Sequence, residues 1–178
     1  LLLGKNPLDA YVNLLQGSGI LPKAKYAGGK SMLTDFFSFM DCWTPMIFAS
    51  LSVAVALKTG LFNIGVSGQM LAAGFITTIT VGYSTLSAPI AKPLVILVAA
   101  AVGALVGGLI GFLKYRFNIN EVVSSIMLNY IIEYVVGFFI NTRYVNPISR
   151  QSQTVSSEAR LTLSGTKIGD LKFDIPLG

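Results

Sequence analysis

Residues 93–113 read PLVILVAAAVGALVGGLIGFL, 21 residues without a charged side chain. Built as a helix rising 1.5 Å per residue, such a run crosses about 30 Å, the hydrocarbon thickness of a bilayer. Lys92 stands just before it, and Lys114, Tyr115, Arg116 and Asn118 form a short polar turn just after it. Outward from this run the pattern recurs. Val122 to Thr142 is a further apolar run, and Phe36 to Leu57 is another, interrupted by Asp41 and Pro45 near one end. Between Thr59 and Ala91 lie 33 residues with no charge, too long for one simple helix and dotted with glycine. This stretch reads as a broken segment over 60–68 followed by a span over 69–86. The expected fold is therefore all-α, a partial polytopic transmembrane helical bundle with spans at about 36–57, 69–86, 93–113 and 122–142.

Composition agrees with that reading. Of 178 residues, 53% are hydrophobic and 12% charged, whereas a soluble domain carries about 25% charged residues. Such a chain cannot clothe itself in a water-compatible surface, so lipid must be its solvent. Lys and Arg number 13 against 8 Asp and Glu. They are scattered singly between apolar runs, a pattern that sets membrane orientation rather than one that binds nucleic acid. Cys42 is the sole cysteine and histidine is absent. No disulfide framework, metal site, cofactor or His-based catalytic group is expected from this segment.

The chain opens on Leu1-Leu2-Leu3 and ends at Gly178, which reads as a fragment whose first residues close a preceding span. Residues 1–35 are turn-rich. Asn6 to Leu15 fits a short amphipathic helix at the membrane surface, with Leu8, Tyr11, Val12 and Leu15 on one side. Residues 143–178 read as a polar loop in which Leu161–Ile175 alternates as a small hairpin does. Lys58, Lys114 and Arg116 lie in short connections, where basic residues orient spans towards the cytoplasm. That expectation places 4–35, Lys92 and the tail outside.

Three features within the spans call for interpretation. Gly103, Gly107 and Gly111 recur at i, i+4 and i+8, and small residues that admit close backbone approach mark a helix-packing face in lipid. The stretch Gly60-Leu61-Phe62-Asn63-Ile64-Gly65-Val66-Ser67-Gly68-Gln69 makes poor helix, at about 1 kcal/mol per glycine. Broken backbone at membrane depth persists only inside protein or beside a water-filled cavity, where its amides could grip a polar solute; an ordinary cytoplasmic turn is the alternative. Asn129 and Glu133 share one helical face. An acid at the bilayer centre costs about 2.5–3.5 kcal/mol on insertion scales, so Glu133 should face a solute path or a neighbouring helix.

Ala24-Lys25-Tyr26-Ala27-Gly28-Gly29-Lys30-Ser31 mimics a loose phosphate-binding loop. A working loop follows a buried strand and opens a helix, yet Pro22 stands where the strand should be, and no acidic strand follows to hold magnesium. Nucleotide binding is not expected here.

Thr44-Pro45-Met46, the Gly60–Met70 stretch, and Asn120-Glu121-Val122-Val123-Ser124-Ser125-Ile126-Met127-Leu128-Asn129-Tyr130-Ile131 occur in an order that resembles the permease subunits of bacterial nucleoside importers. These form a branch of the simple-sugar and branched-chain-amino-acid ABC permease family. Gly4-Lys5-Asn6-Pro7-Leu8 and the stretch from Gln151-Ser152 to Leu161 fit the same branch, so the resemblance covers most of the chain. Where the family pattern usually has an acid before the Gly-Gln pair, this chain has Ser67, a departure that bears on the exact substrate. The resemblance implies the N-terminal half of a multi-pass plasma-membrane permease that performs no ATP hydrolysis itself. Its implied partners are cytoplasmic ATPase subunits, a second permease subunit, an extracellular solute-binding lipoprotein and a small-molecule solute. Asn63, Ser67, Gln69, Asn129 and Glu133 are the candidate path residues. Lys114, Arg116, Asn118, Asn120 and Glu121 form the candidate ATPase-facing turn. Two rival classes stand beside this one: an ion-coupled secondary transporter, which also uses a broken helix, and an intramembrane enzyme, for which the reactive groups are lacking.

Overall fold

The computed structural model describes residues 6–25, 31–146, 148, 150–168 and 171–176. The chain divides into two compact units, one of residues 1–48 with 161–178 and one of residues 49–160.

In the first unit, helix α1 (Pro7–Gly17) is started by Asn6, whose Oδ1 accepts the Leu8 N–H at 3.1 Å. Pro7 is preset for the first helical position, where no N–H is needed. Leu8, Tyr11, Val12 and Leu14 are all exposed. The chain then turns at Gly19, φ +74°, where a Cβ would collide with backbone atoms of Met32 and Phe36; only glycine admits this approach. Ser31 and Thr34 exchange side-chain-to-backbone bonds at the start of α2 (Met32–Lys58), in the manner of a capping box. Lys23 Nζ reaches Asp35 Oδ2 at 2.6 Å, while Asp35 in the first turn and Lys58 in the last suit the helix dipole. No residue of α2 is buried. Further on, β1 (Thr162–Ile168) and β2 (Leu171–Pro176) pair antiparallel, Leu163 opposite Ile175 and Lys167 opposite Lys172. The all-α core thus carries a two-stranded hairpin in its tail. The phosphate-loop lookalike falls on residues 26–30, outside the described residues.

The second unit takes in residues 49–58 of α2 and the remaining apolar helices. α3 (Val66–Thr77) continues into a π-helical segment, Thr78–Gly82. α4 runs Ala88–Phe117, and α5 (Glu121–Phe139) ends in a second π-helical segment, Ile140–Tyr144. Among the described residues, Met32–Lys58, Ala88–Phe117 and Glu121–Tyr144 are long and apolar enough to cross a membrane, and Val66–Gly82 is a shorter apolar helix. α3 packs between α4 and α5. α4 begins at Ala88, with Pro89 in its first turn where no N–H is needed; Pro93 and Lys92 therefore lie within the helix. After α5 the chain folds back. The Ser156 N–H donates to the Gly82 carbonyl at 2.9 Å, and Ala159 joins Val81 and Ala91 in a small core edged by Leu94, Val98 and Val155.

Candidate functional site

The break is shorter than the glycine content suggests. The break runs over Thr59–Gly65, and Val66 already opens α3, so Ser67, Gly68 and Gln69 lie in its first turn. Within the break, Asn63 Oδ1 accepts the Gly65 N–H at 2.7 Å, closing a turn on its own backbone. Gly65 occupies the N-cap position but has no side chain to offer, so a helix start in an apolar setting lacks a local acceptor for its first N–H groups.

Asn129 supplies it from α5. Its Oδ1 accepts the Gly68 N–H at 2.9 Å, and its Nδ2 donates to the Ile64 carbonyl at 3.1 Å. The amide thus satisfies a donor of the helix start and an acceptor of the break at once, a cap provided by a residue 61 positions away. Close approach makes this geometry feasible. A Cβ on Gly68 would lie 2.5 Å from Asn129 Oδ1 and 3.0 Å from its Cα, and one on Gly65 would lie 2.8 Å from Ile110 Cδ1 and 3.3 Å from Ser125 Cβ. These glycines let the break seat against α4 and α5 together.

The remaining candidates divide. Gln69 lies against the glycine stripe: a Cβ on Gly107 would meet its Nε2 at 3.3 Å, and that nitrogen is buried with no partner among the described residues. Gly103 and Gly111 have open space at their Cβ positions, so within this chain only the middle glycine of the three meets α3. Ser67 is exposed, and Glu133 is exposed on α5 with no bond to another described residue. Asn63 and Asn129 therefore gather at the break through hydrogen bonds, Gln69 lies against α4 at Gly107, and Ser67 and Glu133 stand apart from both.

At the same end of the bundle, the α4–α5 turn is tightly built. Asn118 ends α4 in the left-handed conformation, φ 51°, one that asparagine tolerates better than most residues. Asn120 caps α5, accepting the Val122 N–H at 2.9 Å and the Val123 N–H at 3.4 Å. Lys114 Nζ pairs with Glu121 Oε2 at 2.8 Å, and the Arg116 guanidinium lies 5.6 Å from the Phe117 ring centroid.

Towards the other end of α3, residues that polarity does not single out line open space. A groove of about 290 Å³ lies between α3, α5 and their π-helical segments, walled by Gly74, Phe75, Thr78, Tyr83, Tyr144 and Ser152 among others. Tyr83 stacks on Tyr144 with ring centroids 6.1 Å apart, and Phe75 meets Tyr144 edge-on at 5.8 Å. A second cavity of about 240 Å³ shares Gly74 and Thr78 with the first and is also lined by Thr77, whose Oγ1 is buried without a partner among the described residues. The signal that could have found the tyrosines is their position at the ends of apolar runs, where tyrosine favours the membrane interface.

Residues 36–168 match the family described as "Branched-chain amino acid transport system / permease component". The guanosine ABC transporter permease protein NupP of Bacillus subtilis is 44% identical over 100 residues, 55% of this chain and 28% of the relative. The nucleoside ABC transporter permease protein NupB of Lactococcus lactis is 38% identical over 112 residues, 62% of this chain and 30% of the relative. The glucose ABC transporter permease protein TsgB13 of Haloferax volcanii is 32% identical over 96 residues, 54% of this chain and 25% of the relative. The matched region thus spans less than a third of each relative's length. No solved structure matches the chain. With the family's sequence pattern extending over α2 to α5 and into the hairpin, this multi-pass membrane chain belongs to the branched-chain amino acid transport system permease family.

Proposed function

We propose that the chain is the N-terminal part of the membrane-spanning permease of an ATP-driven importer, and that the solute is a nucleoside or a related sugar. The observation that carries this reading is the family match over 36–168, which takes in both the clamped break and the α4–α5 turn. Support for a nucleoside comes from two permeases similar to this chain, named for guanosine and for nucleosides. ATP hydrolysis falls to separate cytoplasmic subunits, a second permease subunit completes the path, and an extracellular lipoprotein delivers the solute. Lys58, Lys114 and Arg116 lie on the cytoplasmic side in this arrangement, with 4–35, Lys92 and the tail outside. The Lys114–Glu121 turn, stiffened by two asparagine-stabilised helix ends and an ion pair, then faces the ATPase.

Within this arrangement the break serves as a fixed element, because Asn63 Oδ1 and both ends of the Asn129 amide are already bonded to backbone. Ser67 and Glu133 keep free polar groups and remain the path candidates best able to meet a solute or the second subunit.

The reading is tested by uptake of radiolabelled guanosine, uridine and ribose in cells expressing the intact permease with its ATPase and lipoprotein. Each solute is run with wild-type and hydrolysis-dead ATPase. Nucleoside uptake that vanishes with the dead ATPase is the expected result. Uptake indifferent to the ATPase would point to ion coupling, and ATPase-dependent uptake of ribose alone would discard the nucleoside.

A further inference from the structure

We infer that the aromatic groove between the C-terminal halves of α3 and α5 is a stacking site for the planar base of a transported nucleoside. This rests on the nucleoside reading above and adds to it a place and a chemistry. Three observations point the same way. Tyr83 directly follows the π-helical segment that ends α3, and Tyr144 closes the one that ends α5. Such wide turns are rare and gather at functional sites. Here they bring to one wall two rings that stack on each other, with Phe75 edge-on to Tyr144. Aromatic walls hold nucleobases whatever their sequence, because every base presents a π face.

The second observation is size. About 290 Å³ of open space is near the lower end of the range for small-molecule sites, suited to one nucleoside rather than to a second protein helix. Gly74 is what keeps it open: nothing lies within 4 Å of a Cβ at that position.

The third observation separates a polar solute from a lipid chain. Thr77 is only 7% exposed, and its unpartnered hydroxyl lines the neighbouring cavity, which shares Gly74 and Thr78 with the groove. An acyl chain would leave that buried hydroxyl unsatisfied. A solute hydroxyl or the water accompanying it would not. A nucleobase offers these rings a full π face in addition to what a sugar presents, so guanosine against ribose is the informative comparison.

The test measures guanosine and ribose uptake kinetics by the intact importer carrying Gly74→Leu, Tyr144→Ala or Tyr144→Phe in the permease. Permease abundance is followed by immunoblot of membranes. Gly74→Leu should leave abundance normal and raise the guanosine KM about tenfold or abolish uptake. Tyr144→Ala should raise KM more than Tyr144→Phe, which keeps the ring. An unchanged guanosine KM in Gly74→Leu, with wild-type uptake intact, would overturn the groove while leaving the importer standing. Loss of Gly74→Leu from the membrane would overturn it too, by showing that a protein segment fills the space. A wild-type importer that carries ribose and no nucleoside would sink the nucleoside reading, and the groove's assignment with it.

Discussion

The two ends of α3 solve opposite problems. At its start the sequence is polar and glycine-rich, and the structure is closed: the break seats on α4 and α5, Asn129 bonds both sides of it, and a Cβ on Gly68 would be too close to Asn129. At its far end the sequence mixes threonines with apolar and aromatic residues, Phe75-Ile76-Thr77-Thr78-Ile79-Thr80-Val81-Gly82-Tyr83, and there the structure leaves two cavities side by side. Polarity within a membrane span therefore need not mark where a solute passes. Amides in a span can be used up satisfying backbone, because in lipid no water is available to do so.

Substitutions that strike the closed end should cost stability, in a graded order. Gly68→Val should have the largest effect, since the added atoms meet Asn129 Cα as well as its flexible end. Overpacking of this kind costs about 1–3 kcal/mol or more. Little folded permease should survive extraction into detergent, and a normal yield would mean that the α3–α5 seam is looser than described. Asn129→Leu comes next. It strips partners from the buried Gly68 N–H and the exposed Ile64 carbonyl, and a buried donor left unpaired costs about 1–3 kcal/mol. The thermal midpoint of the purified protein should fall, and Asn129→Asp, which keeps the acceptor and loses the donor, should fall less. Equal losses would show that the cap bond to Gly68 contributes nothing.

Gly107→Ala should matter less, because its new methyl meets the end of the Gln69 side chain rather than backbone. A drop of roughly 1 kcal/mol or below is expected. Combining it with Gln69→Ala should recover part of the loss in a double-mutant cycle, and strict additivity would refute the contact. Smallest is Lys114→Met. Its ion pair with Glu121 involves a lysine side chain 38% exposed, and such pairs are worth about 0.2–1 kcal/mol. The shift in thermal midpoint should shrink further at high salt. A large, salt-independent shift would mean that the turn is buried against protein.

How much of this was legible follows from where each signal resides. Apolar runs with at most one charge each, Asp41 in 36–57 and Glu133 in 122–142, locate α2, α4 and α5 because lipid disfavours charge, a constraint that acts locally on sequence. The α4–α5 turn is legible for the same reason, with Asn118 and Asn120 beside Lys114 and Arg116. The extent of the break was not. Val66–Gly68 looks like poor helix by composition, and what makes it helix is an acceptor on α5 that no nearby residue announces. Nor could the early start of α4 be read easily, since Pro93 suggests a boundary and the structure places it within the helix. The groove was equally hidden. π-helical turns have no compositional signature, and Tyr83 meets Tyr144 only once α3 and α5 are packed together.

Because the acceptor for α3's first turn lies 61 residues downstream, it does not yet exist when α3 leaves the ribosome. At about 5–20 residues per second, roughly 3–12 s pass before Asn129 is made. During that interval the open N–H groups of α3 must be met by water, by lipid headgroups or by the insertion machinery. Completion of this helix is thus timed by the synthesis of another, and a nascent chain arrested short of residue 129 would hold a span whose entrance is still unfinished.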